Sequence, residues 1–504
     1  MRSKKALLTV ITNSIVQLVH VIFAFAVRKI FLMTLGADTL GLNSLFSSVL
    51  ALLAMTELGL GSSVFMCLYK PLIDNDYKKI SAYMRFLEKM YRYIGLFIIV
   101  SGLCITPFLQ LFVKGEYDSV FVINSFWLYV LSIALPYFFS HKKTLLGADQ
   151  KSYIISAVQI VYKLVLNFMQ IVVLLLIPNY YLFLVVSIVC NISESYFVSK
   201  ICDKHYPYLK VESAILEKRE KQEVFEKVKG LLCYKLGNYL IEGTDNIIIS
   251  GILGTVAVAY YSNYYLVINM VFAIFAGFGT SAIAGLGNIL YSSKNEWRNA
   301  FSKLLLVQHL VFSFSATALL VMLSDFIEFM FGMESMLPQG AVILMVCVYY
   351  VKGYSQGVEA LRTSAGMYNK DKYINLAIAC LNVVVSIILV WKLGIIGVLI
   401  GTLLCYSIKE LFVVPWIVMK DLDSQFGYWY TQKMFMHMVL TIVIMMLVYG
   451  IHEHLFVVNI FITWVLNGII CLGVSLAVNI LLLGRTKEMK QIMCLVKNIV
   501  QRVQ

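Results

Sequence analysis

Residues 373–419 read YINLAIACLNVVVSIILVWKL, then Gly394, then IIGVLIGTLLCYSIKELFVVPWIVM. The two runs are 21 and 25 residues long, almost wholly apolar, and separated by one glycine. A helix rises about 1.5 Å per residue, so either run crosses the ~30 Å of hydrocarbon in a bilayer. Lys370 and Lys372 precede the pair and Lys420 follows it. Lysines on both outer flanks put those flanks on the cytoplasmic side, where positive charge is retained during insertion. The stretch therefore reads as a helical membrane hairpin. An outer-membrane barrel would need segments of about ten residues that alternate apolar and polar, and the sequence has no such pattern.

The rest of the chain repeats this hairpin. Of 504 residues 60% are hydrophobic and 14% charged, too little polar surface for a water-soluble protein of this size. Fourteen apolar runs lie near 6–34, 40–68, 90–112, 119–140, 152–177, 179–199, 230–252, 255–288, 301–323, 338–361, 373–393, 395–419, 433–451 and 458–483. Basic residues fall on every second connection. Lys70, Lys78, Lys79, Arg85 and Lys89 follow the second run, and Lys142, Lys143 and Lys151 the fourth. Lys200, Lys204, Lys210, Lys218, Arg219 and Lys221 follow the sixth, Lys294 and Arg298 the eighth, Arg362 the tenth, and Arg485, Lys487 and Lys490 the last. Lys114 and Lys392 are the exceptions. Both chain ends are thus expected in the cytoplasm. The net charge of +13 reflects this topology and does not call for nucleic acid. The ten cysteines sit mostly inside runs with no C-x-x-C pair, and read as small buried hydrophobes. The first run is about twice as long as the apolar core of a signal peptide and lacks a small-residue cleavage site, so it reads as a span.

The fold class is all-α, a polytopic membrane protein of about fourteen transmembrane helices. Residues 1–199 form an amino-terminal six-helix bundle and 230–420 a carboxy-terminal one. Between them, 200–229 reads as a charged cytoplasmic linker helix with Glu223 and Lys227 at i,i+4. Residues 421–484 hold the two extra helices, and 485–504 a cytoplasmic interfacial tail with Ile492, Val496, Ile499 and Val503 on one face. A repeat supports the two halves. At a shift of 218, Leu35-Gly36 falls on Leu253-Gly254, Ser44 on Ser262, and Gly59-Leu60-Gly61-Ser62-Ser63 on Gly277-Phe278-Gly279-Thr280-Ser281. Leu146-Gly147 with Tyr153-Ile154 falls near Ala365-Gly366 with Tyr373-Ile374, at a shift of 219 to 220. An even number of spans separates the copies, so a pseudo-two-fold along the membrane normal should relate them.

Charged residues inside spans are the anomaly. Each costs about 2.5–3.5 kcal/mol at mid-bilayer, so they must face one another or a wet cavity. Helical spacing puts Asn13, Gln17, His20 and Arg28 on one face of the first span, and Lys235, Asn238, Glu242 and Asp245 on one face of the seventh. The fifth adds Gln159, Lys163, Asn167 and Gln170, the tenth Lys352, Ser355, Gln356 and Glu359, and the second Asn43, Ser47, Glu57 and Gly61. Such faces would line a central cleft holding Arg28, Lys163, Lys235, Lys352, His20 and Gln17, a set that the resemblance described below implies would face an anionic substrate. Glu57, Glu242, Asp245 and Glu359 are the candidates for ion coupling. Plainer readings exist for each. Arg28 with Lys29 also fits an end-of-helix pair reaching the outer interface, and Lys163, Glu242 and Lys352 fit structural ion pairs. His20 and His309 fit satisfied core histidines, and Lys409-Glu410 requires that one member face protein. Tyr260, Tyr261, Tyr264 and Tyr265 read as packing. No P-loop, H-E-x-x-H, G-x-S-x-G or nucleotide-binding domain occurs, so no catalytic residue and no cofactor or metal is indicated.

Arg28-Lys29, Leu35-Gly36, Gly41 and the segment Glu57-Leu58-Gly59-Leu60-Gly61-Ser62-Ser63 resemble the opening of the polysaccharide-transport branch of the multidrug/oligosaccharidyl-lipid/polysaccharide exporter superfamily. Lys70…Lys78-Lys79 and Asp245…Leu253-Gly254…Tyr261-Ser262 fit the same pattern. The resemblance implies two six-helix bundles around a V-shaped cavity that opens alternately to either side. It implies a flippase for undecaprenyl-pyrophosphate-linked repeat units of O-antigen lipopolysaccharide or capsule in the bacterial plasma membrane. The implied partners are the lipid-linked oligosaccharide, membrane lipids, a polysaccharide polymerase and a chain-length regulator. Two alternatives stand beside it. A cation-coupled multidrug exporter usually has about twelve spans, and a membrane polymerase or glycosyltransferase would carry a large external loop that this chain lacks.

Overall fold

The computed structural model describes the backbone of residues 2–57, 59–114, 117–210, 215–290, 294–367, 372–454 and 460–494. Side chains are described from Ile22 onward, except at 56, 210, 227, 229–235, 238, 242, 278, 284, 294–295, 372 and 460–461. Every regular element in these residues is helical. The longer ones are α1 (Arg2–Ala54), α2 (Leu60–Asp74), α3 (Tyr77–Ile105), α4 (Ser119–Ala134), α5 (Ser152–Leu176), α6 (Tyr180–His205), α7 (Lys218–Gly243) and α8 (Asp245–Leu253). They continue as α9 (Thr255–Leu290), α10 (Lys294–Phe331), α11 (Gln339–Ser364), α12 (Lys372–Leu393), α13 (Ile395–Tyr406), α14 (Val414–Leu422), α15 (Ser424–Glu453) and α16 (Ile460–Leu483).

Twelve helices among the described residues are long and apolar enough to cross a membrane. The expected fourteen differ from these by two breaks. α1 carries Gly36 at φ 81°, ψ 168°, which divides it into the first and second spans. The seventh span is interrupted at Gly243–Thr244, leaving α8 only nine residues long. Helix starts follow capping chemistry. The side chains of Asp76, Asp118, Asn179 and Asp423 accept from backbone N–H groups of the first turn, and Glu217 with Glu220 forms a capping box.

The repeat has a backbone counterpart. Gly254, 218 residues after Gly36, adopts φ 97°, ψ 170° against 81°, 168°. A Cβ is strained in that region, so glycine marks the corner in both copies. Farther on the register slips. The left-handed residue after Lys143–Ala148 is Gln150 at φ 57°, and the one after α11 is Gly366 at φ 67°. Lys151 N–H returns to the Leu146 carbonyl and Met367 N–H to that of Arg362, the same closing bond at a shift of 216. Gly147 is therefore not the partner of Gly366; it stands beside the Phe65 ring instead.

The chain packs as two units, 1–259 and 260–504. In the first, Phe31 meets Tyr180 and Phe183 edge-on at 5.8 and 5.0 Å, and Phe46 meets Phe126 at 5.4 Å. The seventh span belongs here, because Tyr239 donates to the Ser48 carbonyl and Asn246 to the Ser48 hydroxyl. α7 runs from the charged linker straight into that span, and Lys79 pairs with Glu220 at 2.7 Å. In the second unit α11 is central, with 16 of its 26 residues buried. Gly353 admits the Phe312 ring of α10 where a Cβ would overlap it. In the opening hairpin Gly394 takes φ 60°, and Gly397 and Gly401 lie directly on Leu389 and Ser386. Small residues let membrane helices approach closely, and dispersion then holds them where no aqueous drive exists. α15 and α16 seal onto α10 through Val321, Ile444, Val448 and Cys471. Met489 and Ile492 of the tail pack on Leu306, Leu440 and Leu483; Val496, Ile499 and Val503 lie outside the described residues.

The charge alternation makes a testable expectation. His454 and Lys487 are both exposed. Cysteine at 454 should react with an impermeant maleimide on intact cells, and cysteine at 487 only after permeabilisation; the reverse result would invert the topology.

Candidate functional site

The second span does not continue as one helix through Glu57. It ends in a 3₁₀ turn, Met55–Glu57, and Gly59 at φ 115° starts α2. The expected face Asn43–Ser47–Glu57–Gly61 is thereby broken. Glu57 instead turns toward α3, accepting there from the Tyr91 hydroxyl at 2.5 Å, and also from Tyr137, which follows α4. Gly61 leaves room for that hydroxyl, since a Cβ there would stand 2.9 Å from it. Asn43 accepts from Tyr180 at 3.1 Å.

Arg28 and Lys163 are both half-buried, on α1 and α5, which pack together. Lys163 makes no ion pair among the described residues. One turn on, Asn167 and Gln170 are buried, with Gln170 donating to Ser187 at 2.9 Å. Asp245 is 1% exposed at the first position of α8, which also packs on α1. The positive end of a helix dipole suits a carboxylate there. Helices that carry Arg28, Lys163 and Asp245 are thus neighbours within the first unit. Gln17, His20, Lys235 and Glu242 lie outside the described residues, as do Asn13 and Asn238.

Lys352 and Glu359 belong to the second unit. Lys352 Nζ sits 4.8 Å from the Phe272 ring centroid. Glu359 pairs with Arg362 at 3.1 Å, one turn along α11. Arg362, read from the sequence as part of a cytoplasmic connection, is 1% exposed. This pairing gives Glu359 a structural partner that an ion-coupling role would have to displace.

Other partnerships were hidden in the sequence. Lys142 pairs with Asp203 at 2.6 Å and Lys143 with Glu194 at 2.8 Å, so the cations that mark topology also clamp α6. Lys409 and Glu410 are both buried and lie 2.7 Å apart. The sequence required one member to face protein, and both do: Ser407–Val413 is π-helical, and its wider turn brings both inward. Tyr261 and Tyr264 are buried packing residues, with the Tyr264 hydroxyl accepting from Leu337 N–H at 3.1 Å. At the end of the first unit that carries the Gly254 corner, Lys114 donates to the Ile252 carbonyl at 2.8 Å, and Tyr117 meets Thr255 at 2.7 Å. Burial pushes the Tyr117 phenol up to about 12, against the Thr255 bond and together with Asp38.

Outside the membrane, burial works against the Asp149 carboxylate, but bonds from Lys151 and Tyr206 outweigh it and hold its pKa below the ordinary range. A depressed carboxylate pKa stabilises the fold above the unfolded value, and that contribution disappears as pH falls through the folded one. Asp149→Asn should therefore lower the melting temperature at pH near 6, with the difference from the native chain narrowing as pH falls below the ordinary carboxylate value of about 4. A difference that does not shrink on acidification would contradict the assignment.

No protein-family model and no curated protein matches the sequence. Solved structures do. The chain is similar to an inward-facing multidrug-resistance MATE transporter of the MOP superfamily, with TM-score 0.64 and 13% identity over 82% of this chain and 98% of that one. The lipid II flippase MurJ in an inward closed conformation matches with TM-score 0.68 and 12% identity over 94% and 98%. The MATE transporter VcmN of Vibrio cholerae matches with TM-score 0.58 and 14% identity over 85% and 100%. At such identities the likeness speaks to architecture alone: the chain has the all-helical, multi-pass membrane fold shared by these MOP-superfamily transporters.

Proposed function

We propose that this protein is a flippase that moves undecaprenyl-pyrophosphate-linked oligosaccharide across the bacterial plasma membrane by alternating access, for O-antigen, capsule or a related polymer. The observation that carries the reading is the extent of the structural likeness. The lipid II flippase fold covers 94% of this chain, whereas the two MATE transporters cover 82% and 85%. This argument is an analogy of folds, and the chemistry of the polar residues stands beside it. A pyrophosphate cannot enter hydrocarbon with its charge uncompensated. Half-buried Arg28 and Lys163 on neighbouring helices offer charge-assisted hydrogen bonds that replace its hydration. The prenyl chain would stay in lipid. In this reading both termini are cytoplasmic, and a polymerase and a chain-length regulator act on the delivered product.

Likeness to MATE transporters supports a second reading, a cation-coupled drug exporter. One experiment separates the two. Purified protein in liposomes receives a fluorescent undecaprenyl-pyrophosphate oligosaccharide on one leaflet, and its arrival on the other is read by an impermeant quencher. Protein-dependent arrival is expected. Expulsion of a lipophilic cationic dye with no movement of the lipid-linked sugar would overturn the flippase reading in favour of the exporter.

A further inference from the structure

One exposed face of α3 changes chemistry along its length. At 100° per residue Lys78, Arg85, Lys89, Arg92, Leu96 and Val100 lie within about 80° of one another, and all of them are exposed. Four cations thus give way to apolar side chains on a single stripe. Tyr93–Phe112 contains no charged residue. About 20 helical residues cross the ~30 Å of hydrocarbon, so the boundary falls at Arg92–Tyr93. Tyr93 is exposed there, in the position that tyrosines favour at a membrane interface. On one side of it Leu96 and Val100 face lipid; on the other the same stripe meets the headgroups.

The carboxylates nearby decide which of these cations is left over. Arg92 pairs with Glu88 at 2.6 Å, and Lys79 with Glu220 at 2.7 Å, which ties a neighbouring face of α3 to α7. Arg85 and Lys89 stand one turn apart, where like charges repel, and neither makes an ion pair among the described residues. Lys89 Nζ instead lies 5.8 Å from the Tyr93 ring centroid, which keeps the ammonium close to the boundary. At 1.5 Å per residue from Tyr93, Lys89 stands about 6 Å beyond the hydrocarbon and Arg85 about 12 Å. The headgroup layer is about 5–8 Å deep on each side. A phosphate at the outer edge of that layer lies between the two side chains.

We propose that Arg85 and Lys89 form a binding site for an anionic phospholipid, whose phosphate bridges the two cations while its acyl chains run along Leu96 and Val100. Charge complementarity selects the headgroup. Two cations without a counter-ion match a phosphate that carries no cation of its own, whereas the phosphate of phosphatidylcholine is already paired with its choline. Continuity with the lipid-facing stripe selects a lipid over a soluble acidic partner, because the ligand arrives along the bilayer and no apolar surface has to be cleared for it. The site stands independently of the carrier reading.

The test uses the full chain in phosphatidylcholine vesicles. Leu96→Trp supplies a reporter on the lipid-facing stripe, where the larger ring meets only lipid, and its signal is the difference from the native chain. A small share of the lipid is then replaced by phosphatidylglycerol or by phosphatidylcholine, each brominated on its acyl chains to quench tryptophan. One cation near an anionic lipid contributes about fivefold, so phosphatidylglycerol should quench at a roughly 30-fold lower share than phosphatidylcholine. Arg85→Gln or Lys89→Gln, each added to the reporter chain, should cut that preference to about fivefold, and the two together should abolish it. Lys78→Gln removes the same charge about 16 Å beyond Lys89, roughly twice the Debye length in physiological salt, and should leave the preference intact. Equal quenching by the two lipids would reduce the stripe to ordinary lipid contact. No quenching by either would mean that protein, a second copy of the chain included, covers it. A loss of preference in Lys78→Gln as large as in Lys89→Gln would replace the site with a diffuse field. Each of these three results overturns the proposal.

Discussion

Lys163→Ala is expected to slow translocation of lipid-linked sugar by about 10- to 100-fold while the protein still inserts and folds. A hydrogen bond to a charged group contributes about 1.5–3 kcal/mol, and each 1.4 kcal/mol is a factor of ten. Lys163 is half-buried on α5 against α1, and makes no ion pair among the described residues. Its removal thus orphans no carboxylate there, and a structural role would predict lost stability instead. The comparison is with Lys163→Arg, which keeps the charge and should keep most activity. Arg28→Ala should act in the same direction. Full translocation by both neutral variants, measured with the quencher assay, would reject the anion-handling set.

Gly41→Ala should destabilise the first unit by about 3 kcal/mol, at the upper end of what overpacking costs. The Gly41 Cα rests against the Thr255 carbonyl, and a Cβ there would overlap that backbone oxygen. Backbone cannot swing aside as the end of a side chain can. Thr255 also starts α9 and meets Tyr117, so the whole Gly254 corner would have to shift. Gly277→Ala is the control, since Gly277 is exposed in mid-helix with nothing within 4 Å of the new methyl. It should be neutral or stabilising by up to about 1 kcal/mol, the helix preference of alanine over glycine. Equal melting temperatures for the two variants would show that the close approach carries no weight.

Spans and repeat were legible because they rest on signals that need no partner. Run length and apolarity report the cost of exposing polar groups to lipid, and Gly36 and Gly254 report a backbone region closed to other residues. Gln150 escaped the same logic, being a non-glycine in the left-handed region, and with it the match of Gly147 to Gly366 failed. The Glu57 face failed for a related reason. A helical wheel presumes an unbroken helix, and the 3₁₀ turn with Gly59 ends it.

Partnerships were the least legible layer. Lys142 and Lys143 were visible as topology markers, yet their carboxylates Asp203 and Glu194 lie 61 and 51 residues away. His309 read as a satisfied core histidine, and nothing in its neighbourhood pointed to His437 or Asn479, 170 residues distant.

By itself the sequence determined a many-span helical membrane protein, the positions of its spans, the expected cytoplasmic side and the two corner glycines. These follow from transfer free energies and backbone sterics, which each segment carries alone. Only the tertiary structure decided which buried polar groups satisfy one another: Glu57 with Tyr91, Glu359 with Arg362, Lys409 with Glu410, and the two stacked imidazoles. Hydrogen bonds and ion pairs reach only about 3 Å, so they exist only once distant helices have been brought into contact.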